Sequence, residues 1–201
     1  MKYVWYFLKE MVLPLIYLVI LSVTSLGITA INNNLLWLKY LLNVLVLAFY
    51  GLIIGAISWK NGELGAKILH ANDLERRRII ETGEDRPLNR LKEYRPWKGF
   101  VEGLAVCLPL ILIMIVHTIL ILIDPNRIGA GALAGYLYMI VFMFFMPDLT
   151  MKFSAGYYYL SLIAIPIFMV ITGVAYILGY RKIQRQYEAV ERKQNQIYGD
   201  K

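Results

Sequence analysis

The sequence predicts an all-α fold: a polytopic helical membrane protein of four to five transmembrane helices with a structured cytoplasmic loop made of a helix and an elbow. Three observations carry that prediction. The chain is 59% hydrophobic with mean hydropathy +0.55, well above soluble domains of this length. Five uncharged runs, Met11–Ile31, Tyr40–Trp59, Gly103–Ile123, Ile128–Pro147 and Phe153–Tyr180, contain 21, 20, 21, 20 and 28 residues. About 20 apolar residues in a helix cross a hydrocarbon core. Between the second and third runs lies a basic stretch, 60–98, with ten Lys or Arg against seven acids. Short loops rich in Lys and Arg stay on the cytoplasmic side, so this stretch orients the molecule. Backbone polar groups find no water in lipid, which makes the runs helices, and the alternation of barrel strands is absent.

The whole chain, 1–201, reads as a single membrane domain. Span one, 11–31, carries Pro14 near its cytoplasmic end and Ser22, Thr24, Ser25 and Thr29 toward the other. Its length exceeds a signal-peptide core and it is read as retained. Asn32-Asn33-Asn34 turns the chain into span two, 40–59. There Gly51 and Gly55 form a GxxxG spacing that lets a neighbouring helix approach closely. Lys39 and Asn43 share a face of this span, and with the Ser22–Thr29 group they suggest a small polar vestibule.

In the cytoplasmic loop, 60–98, Glu63–Thr82 has the residues of a helix and Gly83 is its stop. Pro87 and Pro96 make the remainder an extended elbow at the headgroups. Span three, 103–123, holds His117 and ends at Asp124-Pro125-Asn126. Span five, 157–180, opens on three tyrosines, and the helical tail, 181–201, has a narrow apolar seam of Ile183, Tyr187, Val190 and Ile197. This seam suits docking on the Glu63–Thr82 helix or on a partner.

The fourth run, 128–147, sets two rules against each other. Five simple crossings would place the tail outside, yet the tail holds six Lys or Arg, the pattern of a cytoplasmic end. The favoured resolution is that 128–147 is re-entrant, turning back at the small residues Gly129–Gly135; the alternative is five crossings with a translocated tail.

The candidate chemistry is sparse. His70, Asp73 and Glu75 lie on the cytoplasmic helix with Arg76, Arg77 and Arg78, an outline of acid/base groups beside a phosphate-holding triplet. The same alternation of charge decorates ordinary solvated helices. His117, an ionisable residue inside a span, is a functional candidate by position. Glu102, at the inner interface one turn from Lys98, suits an ion pair or a snorkelling side chain. The single Cys107 allows neither an internal disulfide nor a cysteine-rich zinc site. Catalytic and phosphate-loop motifs are absent, so no catalytic residue, metal or cofactor is expected. The formal charge of +7 sits beside membrane segments and does not mark a nucleic-acid binder. The expected partners are the lipid bilayer and a protein at the cytoplasmic face. The leading expectation is a multi-pass cell-membrane protein that serves as a small transport component or membrane subunit. The alternative is a membrane-embedded enzyme acting on a lipid or isoprenoid headgroup.

Overall fold

The structure, a computed structural model, describes residues 2–83, 88–90, 92–123, 138–145 and 159–199, and every regular element among them is helical. The long helices are α1 (Lys2–Ile28), α2 (Leu36–Thr82), α3 (Lys98–Val106), α4 (Leu108–Ile123) and α5 (Ala164–Tyr198). Three segments, Lys9–Ile28, Leu36–Thr82 and Ser161–Ile197, are long and apolar enough to cross a membrane. The pair α3–α4, bent by 47°, makes a fourth if it counts as one broken span. Among the described residues the sequence expectation of four to five spans thus becomes three or four.

Local chemistry explains where the helices start, bend and stop. Asn32 accepts a hydrogen bond from the Asn34 amide at 3.1 Å, shaping the short turn into α2. Span two and the helix expected over Glu63–Thr82, separate in the sequence reading, are one helix, because Lys60-Asn61-Gly62 contains no proline and nothing strong enough to break it. α2 stops at Thr82, where Gly83 takes φ +69° and its amide bonds to Ile79 O at 2.9 Å. Pro109 lacks an amide hydrogen and crowds the preceding turn, which accounts for the break at Cys107 between α3 and α4. The tail likewise continues its span without interruption, as α5.

The chain clusters into two compact units. The first comprises Met1–Ile54 and Gly103–Met169. Its surface is apolar, with Leu52, Leu122 and Ile123 more than 70% exposed, a surface suited to lipid. Its interior mixes Leu18, Leu110, Val141 and Met143 with buried Ser22, Ser25, Lys39, Asn43 and His117. Phe168 joins Tyr50 and Phe144 edge to face, at centroid distances of 5.5 and 5.6 Å. Of the run 128–147 only 138–145 are described, and the Gly129–Gly135 stretch lies outside the described residues. Within 138–145 the chain forms a 3-10 turn, Phe142–Phe144, buried on all sides. The Asn43 side chain donates to Met143 O at 2.9 Å, supplying a partner where the backbone leaves the α-helical pattern.

The second unit comprises Gly55–Glu102 and Val170–Lys201. Here α5 meets α2 backbone to backbone. A Cβ on Gly62 would strike the Tyr176 carbonyl, and one on Gly179 the Trp59 carbonyl. Gly99 of α3 and Gly173 of α5 close a second contact, where a Cβ on Gly99 would lie 2.5 Å from Tyr176 Cβ and 3.0 Å from Gly173 Cα. At Gly55 the approach is ordinary, 3.5 Å to Ile171 Cγ2. Gly51 is buried. The elbow folds back along α2: Tyr94 N donates to Gly65 O at 3.3 Å, and Asn72 and Asn89 exchange two hydrogen bonds at 3.2 and 3.3 Å. The Tyr94 ring stacks on Tyr180 at 3.7 Å and on Tyr176 at 5.3 Å. Tyr94 is thereby anchored to two rings of α5.

Gly62→Ala and Gly179→Ala are expected to lower stability by about 1–3 kcal/mol each, because a helix backbone, unlike a side-chain end, cannot step aside. Gly55→Ala, with room for its methyl, is expected to change it by less than about 1 kcal/mol. Thermal unfolding of the purified protein in detergent measures the difference.

Candidate functional site

The second unit carries a groove of about 570 Å³ between the polar ends of α2 and α5. From α2 it takes Leu69, His70, Asp73, Leu74 and Arg77, which recur at three- and four-residue intervals and so share a face. From α5 it takes Gln184, Tyr187, Glu188, Val190 and Glu191 on the same spacing. Apolar side chains alternate with charged ones on both walls. Across it the His70 ring lies flat on Tyr187, with centroids 4.0 Å apart and planes 18° apart.

The two helices also meet beside the groove. Ile183, the first seam residue, is buried. Glu63 accepts from Lys182 Nζ at 2.7 Å and from the Trp59 indole at 2.8 Å, while the Lys182 ammonium lies 6.0 Å from the Trp59 ring. The seam then opens: Tyr187 is half-buried, Val190 is 54% exposed and Ile197 is 70% exposed.

The charged run of the loop separates by role. Arg76 binds Asp73 at 2.8 Å and Glu93 at 2.7 Å, and Glu93 is buried beneath the elbow. Arg76 therefore ties the elbow to α2. Arg78 pairs with Glu75 at 3.2 Å on an exposed part of the helix. Arg77 alone of the triplet lines the groove, with His70 and Asp73. No group of three or more His, Cys, Asp or Glu side chains able to hold a metal occurs among the described residues. Lys98 donates to Glu93 O at 2.7 Å, and Glu102, 4% exposed, accepts from Ser58 Oγ at 2.6 Å and Asn61 Nδ2 at 3.2 Å. Of the two expectations for Glu102, an ion pair or a snorkelling side chain, neither is decided by these bonds, which bury its carboxylate among donors where α3 packs against α2.

In the first unit His117 is buried, and its Nδ1 shares a hydrogen bond with Tyr138 Oη. One residue on, Thr118 Oγ1 donates to Met114 O at 2.9 Å and lies 3.0 Å from Tyr159 Oη. Lys39 is almost fully buried and donates to Thr29 O at 2.8 Å, while Ser25 donates to Asn43 Oδ1 at 2.5 Å. The Ser25–Asn43 bond bridges α1 and α2, and Lys39 reaches back to the turn that joins them.

Sequence reasoning found His70, Asp73 and Arg77 but not Glu188 and Glu191, whose place opposite them depends on the packing of α5. The spacing of Tyr176, Tyr180 and Tyr187, at offsets of 0, 4 and 11, was a legible sign of an aromatic face on that helix. Compared with known proteins, the chain matches no protein-family model, no curated protein and no solved structure.

Hydrogen bonds from Lys182 and then Trp59 hold the Glu63 carboxyl below its usual pKa. A depressed folded-state value means that its contribution is complete above the ordinary glutamate pKa, about 4.3, and disappears as pH falls through the lowered value. Glu63→Gln is accordingly expected to unfold at a lower temperature than wild type at pH 7, with the gap closing as the medium is acidified below pH 4. Thermal unfolding across pH reads this directly.

Proposed function

We propose that this chain is an integral protein of the cytoplasmic membrane, a small transport component or the membrane subunit of a larger assembly, which docks a protein partner through the groove between α2 and α5. The observation that carries this reading is the groove itself. Both helices continue beyond their apolar spans, and their facing sides remain amphipathic there, with Leu74 and Val190 left exposed. A solvated helix pair with no further role would close its apolar seam or be polar along it.

Orientation follows the positive-inside rule, with the N-terminus, the 60–98 loop and the tail on the cytoplasmic side. The Glu63–Lys182 and His70–Tyr187 contacts support a common side for loop and tail. Four crossings satisfy this arrangement: α1, the first part of α2, the bent pair α3–α4, and the first part of α5. The buried 3-10 turn at Phe142–Phe144 supports a run 128–147 that turns back within protein packing. The enzymatic alternative has less support, because Arg76 and Arg78 are engaged by carboxylates and a headgroup phosphate in the groove would meet Arg77 flanked by acids.

In a Cys107→Ser background, cysteines at Glu81 and Lys193 are expected to resist a membrane-impermeant thiol reagent in intact cells and to label after lysis. Alkaline phosphatase fused after Lys201 is expected to be inactive. Labelling at Lys193 in intact cells together with active phosphatase would establish an outside tail.

Docking is tested by placing a photo-crosslinking amino acid at Leu74 or Val190 in living cells. Both positions are expected to give the same protein adduct, and Leu52 on the apolar surface none. Correctly inserted protein that yields no adduct from either groove position would refute the docking reading.

A further inference from the structure

The groove differs in charge from the chain around it. The whole sequence carries a formal charge of +7. Yet three acids, Asp73, Glu188 and Glu191, line the groove against Arg77. Asp73 is shared with Arg76, and Glu188 lies 3.9 Å from Arg192 in an exposed, weak pair. Glu191 makes no ion pair among the described residues, and it faces the same opening as Glu188. The acidic side is therefore the α5 wall, toward the end where the seam opens.

The apolar stripe continues past the walls on both helices. Ile80 lies three residues beyond Arg77 on the same face of α2 and is 84% exposed. Ile197 stands three beyond Gln194 on the corresponding face of α5. From Ala66 to Ile80 the stripe runs about 20 Å, four turns of helix at 1.5 Å per residue. A groove of that length, with apolar side chains interleaved with carboxylates, matches a helix that presents apolar and positive side chains together along one face.

We propose that the groove receives one amphipathic helix of a partner protein, presenting Lys or Arg beside its apolar stripe toward Glu188 and Glu191. This rests on the docking reading above and names the partner's chemistry. Leu74 and Val190 supply the apolar contact, the α5 acids select for positive charge, and Arg77 disfavours a second cation on the α2 side.

The test uses the full chain in zwitterionic nanodiscs. The probe is a fluorescent amphipathic peptide of about 16 residues, four turns, with a leucine stripe flanked by Lys, compared with the same peptide carrying Glu for each Lys. Anisotropy is expected to show the Lys peptide binding about tenfold tighter. Glu188→Gln/Glu191→Gln, at surface positions that tolerate the change, should erase the preference, and Leu74→Asn should weaken both peptides. Equal binding of the two peptides, a preference that survives the double substitution, or binding no better than to empty nanodiscs would overturn the proposal. So would adducts joining Val190 of two copies, which would make a second copy the occupant. A partner captured in cells through Leu74 by an acidic helix would sink this inference and leave docking intact. Absence of any adduct in cells, with the peptide preference intact in vitro, would sink docking and not the charge selection.

Discussion

Burial away from water favours partners inside the protein for polar groups, and such pairs recur in both units. Lys39 reaches the Thr29 carbonyl, Ser25 and Asn43 bond to each other, and Asn43 also serves the Met143 carbonyl in the buried 3-10 turn. His117 meets Tyr138, and Glu102 meets Ser58 and Asn61. Each pair joins segments distant in sequence, so the polar residues act as registration marks. A helix rotated or shifted by one turn would bury one of these groups without its partner, which is more costly than losing apolar contact. Leucine-rich surfaces alone would permit many such shifts.

Glycine adds a second kind of specificity. Gly62 and Gly179 let α2 and α5 touch through their backbones, and Gly99 with Gly173 admits α3 beside them. Close approach fixes which residues lie opposite one another further along. With Gly179 against Trp59, Lys182 reaches Glu63, Tyr180 stacks on Tyr94, and one further helical stretch brings Tyr187 onto His70. The groove is a consequence of this order: residues bulkier than glycine take over at Leu69 and beyond, and the facing stripe is left unfilled. Its α5 wall carries the carboxylates Glu188 and Glu191.

The elbow shows how a loop rich in charge becomes ordered without a core of its own. Tyr94 is held by its amide on Gly65 and its ring between Tyr180 and Tyr176, and burial there raises its phenol pKa, with Tyr180 adding to the effect. The reciprocal Asn72–Asn89 bonds and the Arg76–Glu93 pair fasten Asn89 and Glu93 to α2 as well. Arg76 therefore belongs to architecture and Arg77 to the groove, although the two are neighbours in the chain.

The helical class and its apolar runs were legible in the sequence, because run length and the absence of charge follow directly from what lipid demands of a backbone. So were the stop at Gly83 and the amphipathic tail, which depend on residues close in sequence. His70, Asp73 and Arg77 could be placed on one helix face by spacing alone. What tertiary structure decided was partnership: Glu188 and Glu191 opposite those residues, Tyr94 between two α5 tyrosines, Glu102 among donors from α2, and the division of Arg76, Arg77 and Arg78 into separate roles. Hydrophobic periodicity states which side of a helix is apolar, but not which helix covers it or at what height. Those are set by backbone contact at glycines and by polar pairs that close only in one register.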